Sequence, residues 1–154
     1  GDSMAITIAL HALAAVLWVG GMFFAYMVLR PSAAPLEPPA RHELWQRVFA
    51  RFFPWVWASV IALLVTGFGM IFLEFGGFGA APRFVHIMLG LGLLMTAIYI
   101  YLYFAVWPVY CSAVAAKDWK LAGAKLGRIR GVVGVNLTLG IATVLIGAAG
   151  RFWG

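Results

Sequence analysis

Two histidines stand where an ionisable side chain is least expected. His11 lies in Leu10-His11-Ala12-Leu13-Ala14-Ala15-Val16-Leu17-Trp18-Val19-Gly20-Gly21, and His86 in Phe84-Val85-His86-Ile87-Met88-Leu89-Gly90. An imidazole inside an apolar run of membrane length is costly, so each marks a candidate site. Haem iron accepts histidine axially, and the core of a helix bundle is a usual place for such a cofactor. At helical spacing, the stripe through His11 continues with Ala15, Trp18 and Met22, and that through His86 with Gly90, Leu93 and Ala97. Ala15 and Gly90 leave room for a flat macrocycle, although small residues equally serve close helix packing. Arg83 and Arg151 supply cations for the propionates. The residues therefore point to a haem b site with His11 and His86 as axial ligands. Two other readings stay open: the histidines hydrogen-bond across helices without a ligand, or they join Met70 or Met88 in the imidazole–thioether set that suits Cu(I). Methionine is also the common gap-filler of apolar packing.

The elements that position these residues follow from composition. Of 154 residues, 64% are hydrophobic and 10% charged, too little charge to cover a soluble domain. Four apolar segments, about 5–29, 54–73, 84–108 and 131–150, each approach or exceed the roughly 20 residues of a spanning helix. None shows the alternation of an outer-membrane strand. The expected fold is all-α, an integral membrane four-helix bundle of up-down topology, a single domain over 1–154. Gly1-Asp2-Ser3 ahead of Met4 reads as the scar of a cleaved tag. Cys111 is the one cysteine, which excludes an intrachain disulfide. No phosphate loop, zinc spacing or nucleophile triad is present.

Between the spans, Pro31 should end the first helix and the linker 32–39 should be extended. Residues 40–53 carry apolar side chains at 44, 45, 48, 49, 52 and 53 with a basic opposite face. That pattern suits a helix at the membrane interface, bending near Pro54 into the second span. The third span should end around Trp107-Pro108, and 115–130 should form a second basic connection. Trp55, Trp57, Phe152 and Trp153 suit headgroup boundaries. His42, among charges, reads as a solvated side chain. Asn136 should bond across helices, and Tyr99, Tyr101 and Tyr103 either line a quinone or electron path or sit at a boundary.

Arg30, Arg41, Arg47, Arg51, Lys117, Lys120, Lys125, Arg128 and Arg130 lie in the two long connections, leaving Arg83 and Arg151 on the other side. By the positive-inside rule both connections are cytoplasmic and both termini periplasmic, in a bacterial inner membrane. The net charge of +6 then reflects loop bias, with no nucleic-acid partner. Counted from the outer surface at 1.5 Å per residue, His11 lies about 9 Å deep and His86 about 3–6 Å. Similar depth is what a shared ligand requires.

Leu10-His11 followed by Trp18-Val19-Gly20-Gly21 resembles the first helix of the CopD-type copper-resistance membrane proteins. It is also similar to the HemJ-type protoporphyrinogen oxidases, and Val85-His86 with Leu89 adds to that likeness. The HemJ side implies haem b with His11 and His86 at the matching positions; the CopD side implies copper movement or tolerance. The chain departs from the HemJ pattern at Met88, where that type carries lysine, and at Asn136-Leu137-Thr138, where it carries Asn-Glu-x-Pro. The name closest to the whole sequence is CopD-like. The expected function is a haem b protein in electron transfer or porphyrin redox chemistry, an oxidoreductase being one form of it, with a quinone or redox protein as partner. Copper binding or transport through His11, His86, Met70 or Met88 is the alternative, and a structural partner subunit the third. Oligomeric state stays open.

Overall fold

Each apolar run lies within a longer helix, because a helix does not stop where the hydrocarbon does. The computed structural model describes residues 1–152; Trp153, expected at an interface, lies outside them. Among the described residues, four helices are long and apolar enough to cross a membrane: α1 (Asp2–Ala33), α2 (Pro38–Glu74), α3 (Arg83–Ala115) and α4 (Trp119–Phe152). No strand occurs among the described residues. The protein is an all-helical, multi-pass membrane bundle.

Two prolines expected to terminate helices do not. Phe24–Leu29 is π-helical, with the Arg30 N–H reaching back to the Ala25 carbonyl, and the helix runs on past Pro31 to Ala33. In α3 the same device appears: Leu102–Val106 is π-helical, Trp107 N–H bonds Leu102 O, and the helix passes Pro108 to Ala115. A widened turn accommodates a ring that would otherwise clash with the carbonyl four residues back. The linker is correspondingly shorter than expected. After Ala33 a turn closed by Leu36 N–H to Ala33 O (3.1 Å) leads straight into α2. Pro38 and Pro39 open that helix, where a missing N–H has no partner to lose.

The interfacial helix expected over 40–53 is instead the first part of α2, which is α-helical without a break through Pro54 to Gly69. Its apolar face turns into the bundle rather than onto lipid. Trp45, Phe49 and Phe53 are buried and stacked in sequence at 5.1 and 5.3 Å. From α3, Trp107 and Tyr103 meet Phe53 edge-on, and Tyr99, also buried, donates to the Phe53 carbonyl at 3.2 Å. Trp57 packs on Tyr99 and Tyr103, so among the described residues expected at boundaries Trp55, Tyr101 and Phe152 are the exposed ones. Tyr99 and Tyr103 thus anchor an aromatic core.

The turns differ in chemistry. Gly76 and Gly77, at φ 79° and 124°, reverse the chain between α2 and α3, conformations that side chains resist. Between α3 and α4, Asp118 caps the helix by accepting from Leu121 N–H at 3.1 Å, the favoured N-cap chemistry. The stretch 119–130, expected as a connection, is therefore helical and belongs to α4. Helices α1 and α2 pack together, α3 lies along α4, and α4 also meets α1. Helices α1 and α3 face each other across the diagonal, where Trp18 meets Tyr99 edge-on at 6.3 Å.

Candidate functional site

His11 is fixed by α2. Its Nδ1 lies 2.7 Å from Thr66 Oγ1, and Thr66 Oγ1 lies 2.6 Å from the Ala62 carbonyl. Each contact needs a proton between its heavy atoms. Ala62 O has none to offer and the hydroxyl has one, so Thr66 donates to Ala62 O and His11 Nδ1–H donates to Thr66. The imidazole is then in the Nδ1–H form, with the Nε2 lone pair free for a ligand. Orienting a ligand histidine through its other nitrogen is the standard outer-shell arrangement of metal sites. The ring rests over Gly67, where an added Cβ would lie 3.8 Å from His11 Cε1. The half-buried His11 is therefore held on the α1–α2 seam.

His86 is exposed on α3, its ring 6.3 Å from Phe78. Phe78 in turn meets Phe68 and Phe72 of α2. Phe68 is about 200° around the α-helix from Thr66 at 3.6 residues per turn. His86 is thus linked to α2 through Phe78, whereas His11 bonds Thr66 of α2 directly, and no hydrogen bond or ring contact joins the two histidines among the described residues.

The remaining site residues sort by packing. Trp18, expected beside a cofactor, is 3% exposed and part of the core against Tyr99. Ala15 is half-buried beside it in sequence, and Gly90 is exposed with open space where a side chain would stand. Met88 lies on Gly147, where a Cβ would come 2.7 Å from its Cε, so it fills the α3–α4 contact. Met70 is half-buried in the π-helical end of α2. Arg83 and Arg151, both exposed, flank Phe84 and Gly150, which pack together; the Arg151 guanidinium lies over the Phe152 ring at 4.9 Å. Among the described residues, no three His, Cys, Asp or Glu side chains gather as a metal cluster.

His42 overturns its expectation. It is 2% exposed, its ring parallel to Trp119 at 5.7 Å. Nδ1 lies 2.9 Å from Tyr110 Oη, which lies 3.2 Å from the His42 carbonyl. The same proton count applies: His42 Nδ1–H donates to Tyr110, and Tyr110 donates to the carbonyl. The nearby charges in sequence misled because the helix turns this one side chain inward, onto α3 and α4. Asn136 behaves as expected, donating across helices to Met95 O at 3.0 Å, while its buried Oδ1 has no partner. Thr66 and Tyr110 were not singled out by sequence reasoning. A hydroxyl in the apolar run of α2 was the one signal for Thr66, and nothing local signalled Tyr110.

A family model described as copper resistance protein D matches residues 46–149. The chain belongs to that family. Membership in the copper resistance protein D family ties the protein to copper resistance at a membrane. Thr66, His86 and Asn136 lie inside the matched stretch, whereas His11 and His42 precede it. An uncharacterized protein of Aquifex aeolicus (strain VF5) is 37% identical over 82 residues, 53% of this chain and 54% of that relative. The match thus spans about half the length of that curated relative. No solved structure matches the chain.

Proposed function

We propose that this membrane protein handles copper at the end of the bundle that carries its termini, with His11 Nε2 as the ligand that receives the metal. The observation that carries the reading is the short relay from His11 through Thr66 to Ala62 O. Imidazole is a good copper ligand, and this one is pre-oriented by a partner that leaves one nitrogen bare. His86 and Met70 stand as further donors on the same end. The positive-inside distribution of lysine and arginine supports periplasmic termini in a bacterial inner membrane, which puts His11 on the periplasmic side. Copper is the cargo here.

The test is a Cu(I) titration of the purified protein against a chromophoric competitor. His11→Ala should weaken binding at least about tenfold, while His42→Ala, at the other end, should leave it unaltered. Unchanged affinity in His11→Ala would remove the site. Met70→Leu preserves volume and tests the thioether separately.

Haem b ligation by His11 and His86 is the second reading. Its support is the pair Arg83 and Arg151, set beside the Phe84–Gly150 contact at the end of α3 where His86 stands. A fixed imidazole with a bare Nε2 fits an axial ligand; a grip from both histidines is not supplied by the geometry. Haem would bring redox chemistry and colour. Protein expressed with added haem should show a Soret band that His11→Ala or His86→Ala alters, and a colourless preparation overturns this reading alone.

A further inference from the structure

The copper reading leaves unused a cavity of about 360 Å³ at the opposite end of the bundle, between α1 and the first turns of α2 and α4. Arg30, Arg41 and Arg130 line it, and none of the five acidic residues does. Arg30 donates through Nε to Tyr26 O at 3.1 Å and lies over the Tyr26 ring at 4.5 Å, which aims the guanidinium without neutralising it. Arg41 is steadied by Leu36 O at 3.0 Å. Buried Trp45 and Phe49 form an apolar floor. On the α4 wall, Gly123 has no atom within 4 Å of where a Cβ would stand. The His42–Tyr110 bonds and the Trp119 stack hold the start of α2 in place, so this wall is firm.

Three guanidinium groups without a lining carboxylate call for an anion, and their planar forks match phosphate oxygens. The floor calls for an apolar body attached to that anion. Basic pockets between membrane helices on the positive side suit anionic lipid headgroups. We propose that this cavity binds the phosphate headgroup of an anionic phospholipid, with its acyl part against the Trp45–Phe49 floor.

Phosphatidylglycerol, phosphatidylcholine and inorganic phosphate are titrated in turn into the full chain in a non-ionic detergent, with bound ligand counted by native mass spectrometry. Phosphatidylglycerol should bind most tightly. Arg30→Gln should weaken it about tenfold. Gly123→Leu fills the cavity from a helix position where a larger residue is tolerated, and it should weaken binding comparably. Arg47→Gln removes the same charge from an exposed position outside the cavity and should leave affinity unchanged. Equal losses in Arg47→Gln and Arg30→Gln would mean surface charge alone and overturn the proposal. So would full retention of phosphatidylglycerol in Gly123→Leu. Inorganic phosphate binding as tightly as phosphatidylglycerol, with the same dependence on Arg30, would identify a free-anion site and overturn the lipid assignment.

Discussion

A hydroxyl decides what His11 can do. Without Thr66 the ring could rotate or exchange tautomers, and Nε2 would no longer be presented. Thr66→Val keeps the branched shape but removes the acceptor, so Cu(I) affinity should fall about 10- to 100-fold, the usual cost of losing an outer-shell partner. Thr66→Ser, which keeps the hydroxyl, should stay near the parent protein. A competition titration separates the two; equal affinity in Thr66→Val and the parent would show that the relay is only structural. Tyr110 is the corresponding residue at the other end. Tyr110→Phe strands the His42 Nδ1–H in a buried setting, while the His42 carbonyl keeps its partner within α2. The expected loss is about 1–3 kcal/mol of stability, read by unfolding in detergent, with no change in Cu(I) binding. Undiminished stability would mean that water replaces the phenol.

Close approach between helices explains a motif that the histidine first drew attention to. In Trp18-Val19-Gly20-Gly21, a Cβ on Gly21 would collide with the Phe52 ring, while one on Gly20 would meet nothing. Trp18 is core, and Gly21 lets α1 and α2 pack together, as small residues do in membranes. Gly21→Leu should therefore destabilise the bundle by about 1–3 kcal/mol through overpacking, and Gly20→Leu should be tolerated. Thermal unfolding of the pair checks this, and similar melting of both variants would remove the packing account. The π-helical turns before Pro31 and Pro108 are the second lesson at this level. They turn two expected helix ends into continuous helices.

The two ends of the molecule carry different chemistry. At the end with the termini stand His11, His86, Arg83 and Arg151; at the other, the His42 cluster and the arginine-lined cavity. The topology proposal assigns the first end to the periplasm. A reporter active only in the periplasm, fused after Gly154, should be active, and one fused within 115–118 should be silent. The reverse pattern would turn the copper site to the cytoplasm and the arginine cavity outward.

Much was determined by the order of residues alone. Four membrane helices, all-α architecture and up-down order follow from apolar length, which is a local property. So does the cross-helix role of Asn136, since a buried amide in lipid has few other uses. The resemblance of Leu10-His11 and Trp18-Val19-Gly20-Gly21 already pointed to the copper-resistance family that the match over 46–149 shows. Helix ends were misplaced where they depended on a π-turn or on helix continuing into charged residues, as at Pro31, Pro108 and 119–130. Which histidine has which partner was decided only by tertiary structure. His11 finds Thr66 fifty-five residues away and His42 finds Tyr110 sixty-eight residues away. Equal depth on two helices says nothing about rotation around their axes. Rotation, set by the packing of α1 on α2 and of α3 on α4, puts His11 against Thr66, leaves His86 exposed beside Phe78 and draws His42 out of water.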